Sequence, residues 1–286
     1  MDVTGAVTMM QREMRVREGA VDAELGGTIV ERDRFCITQD AFLMHMEGGT
    51  RLLYRKGEGV TMDRAPDEDA RDIALFMNGS VYAAAACING LYPIHASAVA
   101  VNGRVHAFTG PSGAGKSTLI AELGRRGFPM FCDDTMLVDM RQPGALICLP
   151  GHKRLKLTTD ALMMTGATAQ EQVATTVEKH FAAPAAGVVT EPLPLAELVF
   201  LEEGEPARIE TVPGGERIRR LQDDHYTAQF FEIVRQPNKA ERFAQLARLA
   251  QSIAVNRFIR PRDAQRFAED AAIVANHLLT TSGTLT

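Results

Sequence analysis

The chain has 286 residues, 45% of them hydrophobic and 23% charged, with a formal net charge of -5. That balance suits an ordinary soluble globular protein of one large domain, or a large and a small one, with enough chain to bury a core. The acidic balance gives no general electrostatic reason to bind nucleic acid or an anionic membrane.

The first twenty residues mix acids and bases without an apolar run, so they do not read as a secretory signal. They are expected to be accessory or frayed. Thr28-Ile29-Val30, Arg34 to Ile37 and Arg51 to Tyr54 are short β-like runs, and Gly48-Gly49 marks a hairpin after Phe42 to Met46. Asp67-Glu68-Asp69 suit a helix N-terminus, and residues 67–89 read as a helix. Its apolar stretch, Ile73 to Tyr92, is broken by Asn78, Gly79, Ser80, Asn89 and Gly90, which makes it a packed helix and not a membrane span. Cys36, Cys87, Cys132 and Cys148 form no C-x-x-C pair, so reduced thiols in a cytoplasmic protein are expected, with no zinc site.

The next segment carries the chemistry. His95 to Val101 and Arg104 to Thr109 alternate as strands around Asn102-Gly103, the strongest short hairpin signal, because a type I′ turn needs positive φ at both residues. A two-residue turn pairs Val101 with Arg104 and Val99 with His106, and carries His95 to Gly110. His106 reads as an ordinary sheet histidine. Residues 110–117, Gly-Pro-Ser-Gly-Ala-Gly-Lys-Ser, fit the phosphate-loop pattern G-x-x-x-x-G-K-[ST]. Its glycines let successive N–H groups face phosphate oxygens, Lys116 reaches the β- and γ-phosphates, and Ser117 suits a Mg²⁺ ligand. Gly110, Ser112, Gly113, Ala114, Gly115, Lys116, Ser117 and Thr118 are therefore candidate nucleotide contacts. Ser117 to Arg126 reads as the helix whose N-terminus faces the phosphate.

After Gly127, Phe128 to Cys132 forms a short apolar strand, expected beside the loop strand, ending at Asp133-Asp134. One carboxylate suits the metal; the other suits acceptance of a proton from an attacking hydroxyl. Further on, Leu149 to Leu157 contains His152, Lys153, Arg154 and Lys156. Alternation puts Arg154 and Lys156 on one strand face, directed at a triphosphate, at an acidic substrate end, or at solvent. Lys179-His180 follows a segment read as a polar helix and is a weaker candidate for a place near the site, and residues 182–187 read as a loop. Asp223-Asp224-His225-Tyr226 suits a metal or a helix cap, and Arg257, Arg260 and Arg262 form a basic cluster with solvent as its default partner. Residues 239–254 and 264–279 have helical periodicity and are separated by Pro261. Strands and helices mix throughout, so the class is α/β or α+β.

A histidine before a strand–turn–strand, the loop, a helix ending in Arg125-Arg126-Gly127, an apolar strand and Asp133-Asp134 together resemble the catalytic domain of HPr kinase/phosphorylase. The resemblance is specific over residues 93–138 and looser over 85–280. It is closer to the stand-alone HPr-kinase-like proteins, some found with lasso-peptide biosynthesis, than to the full-length bacterial regulator. It implies a fold like that of phosphoenolpyruvate carboxykinase: mixed α/β, with an antiparallel hairpin leading into the phosphate loop. Residues 1–85 would form a small β-rich accessory region with a helix, and residues 86–286 the catalytic domain with C-terminal helices. It also implies ATP and Mg²⁺, with phosphorylation of a serine hydroxyl. By that resemblance Lys116 binds phosphate, with Arg154 as a further contact, Ser117 binds the metal, Asp133 is the acid/base, His95 assists, and Asp134 supports the metal or the base.

The family's E-I-R-G-x-G-I signature is replaced here by the basic stretch 149–157, which has no glutamate, and phosphorolysis is not carried over. No transporter-type signature and no N-K-x-D motif accompanies the loop. The expected function is an ATP-dependent kinase of a serine in a peptide or small protein, such as a lasso precursor peptide. It would dock on residues 1–60 or 180–240, with no nucleic-acid or membrane partner and with homo-oligomerisation left open. The alternatives are a small-metabolite kinase and a nucleotide-sensing module.

Overall fold

The computed structural model describes residues 3–32, 34–141, 144, 146–221, 230, 232–234 and 239–281. The motif at 223–226 lies outside them. The chain opens with helix α1 (Val3–Glu13) and strand β1 (Val16–Glu18), followed by β2 (Val30–Arg32), β3 (Phe35–Ile37), β4 (Ala41–His45), β5 (Arg51–Arg55) and β6 (Gly59–Asp63). These strands form one sheet in the order β1-β6-β5-β4-β3-β2. It is an antiparallel meander from β2 to β6, closed by β1 running parallel to β6. Residues 3–18 are thus built into the fold. Ala6 and Met10 of α1 are buried against Phe42, Leu52 and Tyr54, and Glu13 at its end accepts hydrogen bonds from the Tyr54 hydroxyl and the Gly57 N–H, both at 2.8 Å.

A helical run follows. It comprises α2 (Ala70–Phe76), capped by the Asp69 side chain on the Arg71 N–H, a π-helical turn (Met77–Val81), and α3 (Tyr82–Ile88). The π turn falls where Asn78, Gly79 and Ser80 interrupt good helix formers, and Asn78 returns its side-chain amide to the Ala74 carbonyl. Ala83 to Ile88 are all buried, in the same core as β4 and β5. This helix crosses the 85/86 boundary expected from the sequence.

The larger sheet contains β7 (Tyr92–Ile94), β8 (Ala96–Val101), β9 (Arg104–Thr109), then, after helix α4 (Lys116–Arg125), β10 (Met130–Cys132), β11 (Met136–Asp139) and β12 (Ile147–Leu149). A smaller sheet has β13 (Leu155–Leu157), helix α5 (Thr159–Thr165), β14 (Gln172–Ala174) and β15 (Val177–Ala182), in the order β13-β15-β14. The chain returns to the larger sheet with β16 (Leu193–Glu203) and β17 (Arg208–Thr211). It ends with α6 (Gly214–Leu221), α7 (Lys239–Ser252), β18 (Ala254–Arg260) and α8 (Phe267–Thr281). The order is β10-β8-β9-β16-β12-β11-β7, with β18 also on β16 and β17 on β18. β16 serves both neighbours because it is long: Leu193 and Pro194 pair with β12, and Glu197 to Glu203 pair with β18.

Helices cover both faces of this sheet, so its central strands carry almost no exposed side chain. In β9 the pleat sends Val105 and Ala107 into the core shared with α6 and α7, and Phe108 into the core shared with α4 and α8. Two sequence expectations are corrected here. The segment before Lys179 is a hairpin, β14–β15, and not a helix. Between the two C-terminal helices lies a seven-residue strand, β18, and not a proline break alone.

The sheet also buries one ionic hub. Glu197, 2% exposed, lies 2.8 Å from His106 Nδ1 and 2.7 Å from His277 Nε2, and accepts a hydrogen bond from Asn256. Burial alone would raise its pKa; the hydrogen bonds with His106 and His277 overcome that and hold it at about 2. The hub ties β9, β16, β18 and α8 together. Glu197→Ala would leave buried imidazole and amide groups unsatisfied, an expected loss of about 3–5 kcal/mol in a urea titration; a loss below about 1 kcal/mol would show the hub to be dispensable. His277 has its pKa raised by the Glu197 hydrogen bond, against burial. Its stabilising contribution is complete below about pH 6.5, the unfolded value, and is lost as pH rises through the raised folded value. The His277→Gln protein is expected to lack that alkaline loss.

Candidate phosphate-binding site

The turn of the β8–β9 hairpin has Asn102 at φ 47° and Gly103 at φ 73°, the left-handed pair of a type I′ turn. Val101 faces Arg104, Val99 faces His106 and Ala96 faces Thr109. The next position places His95 against Gly110, and the Thr109 hydroxyl donates to the His95 carbonyl at 3.1 Å. The loop that follows turns on Gly113 and Gly115, at φ 82° and 88°, and Gly115 caps α4. A side chain at Gly115 would be strained by the left-handed backbone, and its Cβ, 2.6 Å from the Arg260 guanidinium, would push that arginine aside.

Arg260, the last residue of β18, and Arg262 just beyond it hold this loop. They donate to the carbonyls of Ala114 at 3.2 Å and Gly113 at 2.9 Å. Arg257 instead pairs with Glu210 at 2.6 Å. The basic cluster therefore has internal partners where the sequence suggested solvent. Lys116 is 7% exposed and donates to the Gly110 and Pro111 carbonyls at 2.8 and 3.2 Å. Burial pulls its pKa down to about 8, although Asp133 and Asp134 oppose this.

β10 does not lie beside β9, as the crossover rule suggests; it pairs antiparallel with β8. The reason is that the hairpin partner β8 already occupies that edge of β9. Because β9 and β10 are each antiparallel to β8, they run parallel to each other, and their C-terminal ends still meet at one end of the sheet. Asp133, 1% exposed, thereby reaches the loop. Its Oδ1 accepts from the Ser117 hydroxyl at 2.8 Å and from the Ser97 hydroxyl of β8, and its Oδ2 from the Lys156 N–H at 3.0 Å. Asp134 has φ 75°, a strained value for a residue with a Cβ, and faces different partners. Lys156 Nζ lies 2.7 Å from its Oδ2 and His95 Nε2 3.5 Å from its Oδ1. Burial would raise the Asp134 pKa, but the His95 hydrogen bond and the Lys156 ammonium hold it well below the usual carboxylate range.

These groups line one cavity of about 180 Å³. It brings together His95, Ser112, Gly113, Gly115, Lys116, Ser117, Thr118, Asp133 and Asp134 from the expected set, with the weaker candidates Lys156 and Lys179, and adds Ser97 and Thr158. Ala114 instead packs against the core beside α4. Arg154 is not among the lining residues. It sits at a bend just before β13, its guanidinium 3.7 Å from the Phe181 ring centroid and paired with Glu171. Those contacts hold it outside the cavity lining, where Lys156 takes the place expected of it. Among the described residues no cluster of three or more His, Cys, Asp or Glu side chains suits a metal ion. None of the four buried cysteines forms a disulfide, and among the described residues no helix is long and apolar enough to cross a membrane.

No family model matches the chain, and no curated protein matches it. Among solved structures, it is similar to the HPr(Ser) kinase/phosphatase from Coxiella burnetii at 15% identity and a TM-score of 0.33, over 67% of this chain and 99% of that one. A likeness this distant leaves the chemistry of the site to be read from its own residues.

Proposed function

We propose that the chain is an ATP-dependent phosphotransferase that moves the γ-phosphate to a hydroxyl group. One observation carries this reading. A phosphate loop, a hydroxyl–carboxylate pair (Ser117 with Asp133) and a second carboxylate between His95 and Lys156 face the same small cavity. A loop that only bound phosphate would need the first of these, not the third.

The donor set fits Mg²⁺, which favours oxygen ligands and keeps waters and phosphate oxygens beside one or two carboxylates. Ser117 and Asp133 would hold it; when bound, it would neutralise charge on the phosphate oxygens. This exchanges the roles that the resemblance suggested for the two aspartates. Asp133 is almost fully buried and its Oδ1 is shared with the Ser117 hydroxyl that would hold the same ion, which sets it beside the metal and not beside the acceptor. Asp134 reaches the cavity and is held ionised. A low pKa makes it a weak base, but in a loose phosphoryl transfer the acceptor proton leaves late, and orientation counts for more than basicity. Asp134 therefore accepts the hydroxyl proton, His95 steadies it from one side and Lys156 from the other. Lys116 and the α4 N-terminus bind the triphosphate. Positioning and electrostatics supply most of the acceleration.

The serine-peptide acceptor, a lasso precursor peptide among its forms, rests on the resemblance of residues 93–138 to the HPr-kinase-like proteins. The test uses the purified chain, Mg²⁺ and γ-labelled ATP with a serine-containing peptide encoded beside it. Label on the serine is the expected result. ADP release without labelled peptide would point to a small-metabolite acceptor, and nucleotide binding without any turnover would overturn the phosphotransferase reading in favour of a sensor.

A further inference from the structure

We propose that Lys179, carried on the β14–β15 hairpin, is a second phosphate-binding lysine that closes over the terminal phosphoryl group of the bound nucleotide. The inference rests on the nucleotide reading above and adds a residue which the motif does not contain.

The register of the small sheet supports it. Lys156 faces Phe181, and Leu157 faces His180, so the next antiparallel pair is Thr158 with Lys179. Directly opposed residues share a face, and residues two apart share it too. Lys156, Thr158 and Lys179 therefore lie on one face of this sheet, and all three line the cavity. Lys116 enters from the phosphate loop; this face forms a wall supplied by a different sheet. The loop backbone and Lys116 account for the inner phosphates and the β–γ link. A cation from the other wall meets the outermost group.

The charges point the same way. Lys156 is engaged by Asp134, and Lys116 by two loop carbonyls. Lys179 is half-buried and, among the described residues, its side chain has neither a carboxylate partner nor a hydrogen bond. It also acts on Lys116 by like-charge repulsion, lowering that residue's pKa beyond the effect of burial. Two ammonium groups facing one enclosed space suit an anion between them.

The hairpin has a second attachment. The Thr175 N–H at its tip donates to the Asp72 carboxylate at 2.8 Å, as does the Thr175 hydroxyl, and α2 packs against β14. The arm bearing Lys179 is thus braced on the N-terminal part of the chain, and the lysine is presented on a fixed support.

The test is a calorimetric titration of Mg²⁺-ATP and Mg²⁺-ADP into wild type, Lys179→Met, Lys179→Arg and Lys116→Ala. Lys179→Met is expected to weaken ATP roughly tenfold, the lower end for one charge-assisted contact, and to leave ADP within about twofold. Retained ADP binding also shows that the variant is folded. Lys179→Arg should keep most of the ATP affinity. Equal weakening of both nucleotides, or no change in either, overturns the inference. If Lys116→Ala loses both nucleotides while Lys179→Met changes nothing, the nucleotide reading stands and this inference alone fails. If wild type binds neither nucleotide, both fall.

Discussion

A Lys116→Ala protein is expected to bind Mg²⁺-ATP roughly 10- to 150-fold more weakly, the worth of one charge-assisted contact of about 1.5–3 kcal/mol. Its transfer rate should fall by a further factor on the order of 10²–10³, the usual cost of deleting one preorganised charge-stabilising donor. The structure explains why Lys156 does not take its place. Lys116 is nearly enclosed, its ammonium rests on the Gly110 and Pro111 carbonyls, and Lys156 is committed to Asp134. The same enclosure predicts a pH dependence. With its pKa at about 8, Lys116 carries its charge below that pH and sheds it above, so ATP affinity should decline as pH rises through 8. Equilibrium binding and single-turnover rates across this range provide the check. Undiminished transfer by Lys116→Ala would remove the phosphate loop from the mechanism.

The two aspartates should separate in the second experiment. Asp134→Asn leaves the Ser117–Asp133 pair in place, so nucleotide affinity should hold while transfer falls roughly 10²- to 10⁴-fold, the range of a general acid–base contribution. Asp133→Asn is different. An amide there has one acceptor oxygen for a position that receives two hydroxyls and the Lys156 N–H, and its NH₂ would face a donor. That protein should lose the Mg²⁺ dependence of its nucleotide affinity along with its activity. The comparison is a titration of ATP with and without Mg²⁺ for each variant, beside the rate. If Asp134→Asn keeps its rate and Asp133→Asn loses only rate, the two roles must be exchanged again.

What could be read in advance was the part of the site encoded locally. Asn102-Gly103 sets a turn, the turn sets a register, and the register delivers His95 to Gly110. Glycines and a lysine at fixed spacing define the loop. Ser97 carried the same signal and was missed: it lies two residues from His95, on the same face of β8, and reaches Asp133. The rest depends on partners distant in sequence. β18 looks like an interval between helices because its support comes from β16, to which it runs parallel through seven paired positions. The β14–β15 hairpin turns at Thr175-Thr176 with no glycine or asparagine, and its Ala, Gln and Glu residues favour helix. Only the pairing of β15 with β13 overrides that preference, and with it comes the position of Lys179. Arg154 failed for a related reason. Alternation gives the face, but the Phe181 ring and Glu171 decide where the guanidinium rests.

The grip of Arg260 and Arg262 on the phosphate loop has a consequence for how the protein is made. Residues 110–117 leave the ribosome early, yet their shape is completed by side chains almost 150 positions later, in the pairs 114 with 260 and 113 with 262. The strand that flanks β9 opposite its hairpin partner, β16, also arrives late. A nascent chain stopped before β18 carries the entire motif and none of its clamp. Such a chain can pair the successive strands β2 to β6, while the loop waits for translation to reach the last strand. The finished shape of this loop is thereby reserved for chains synthesised nearly to their end.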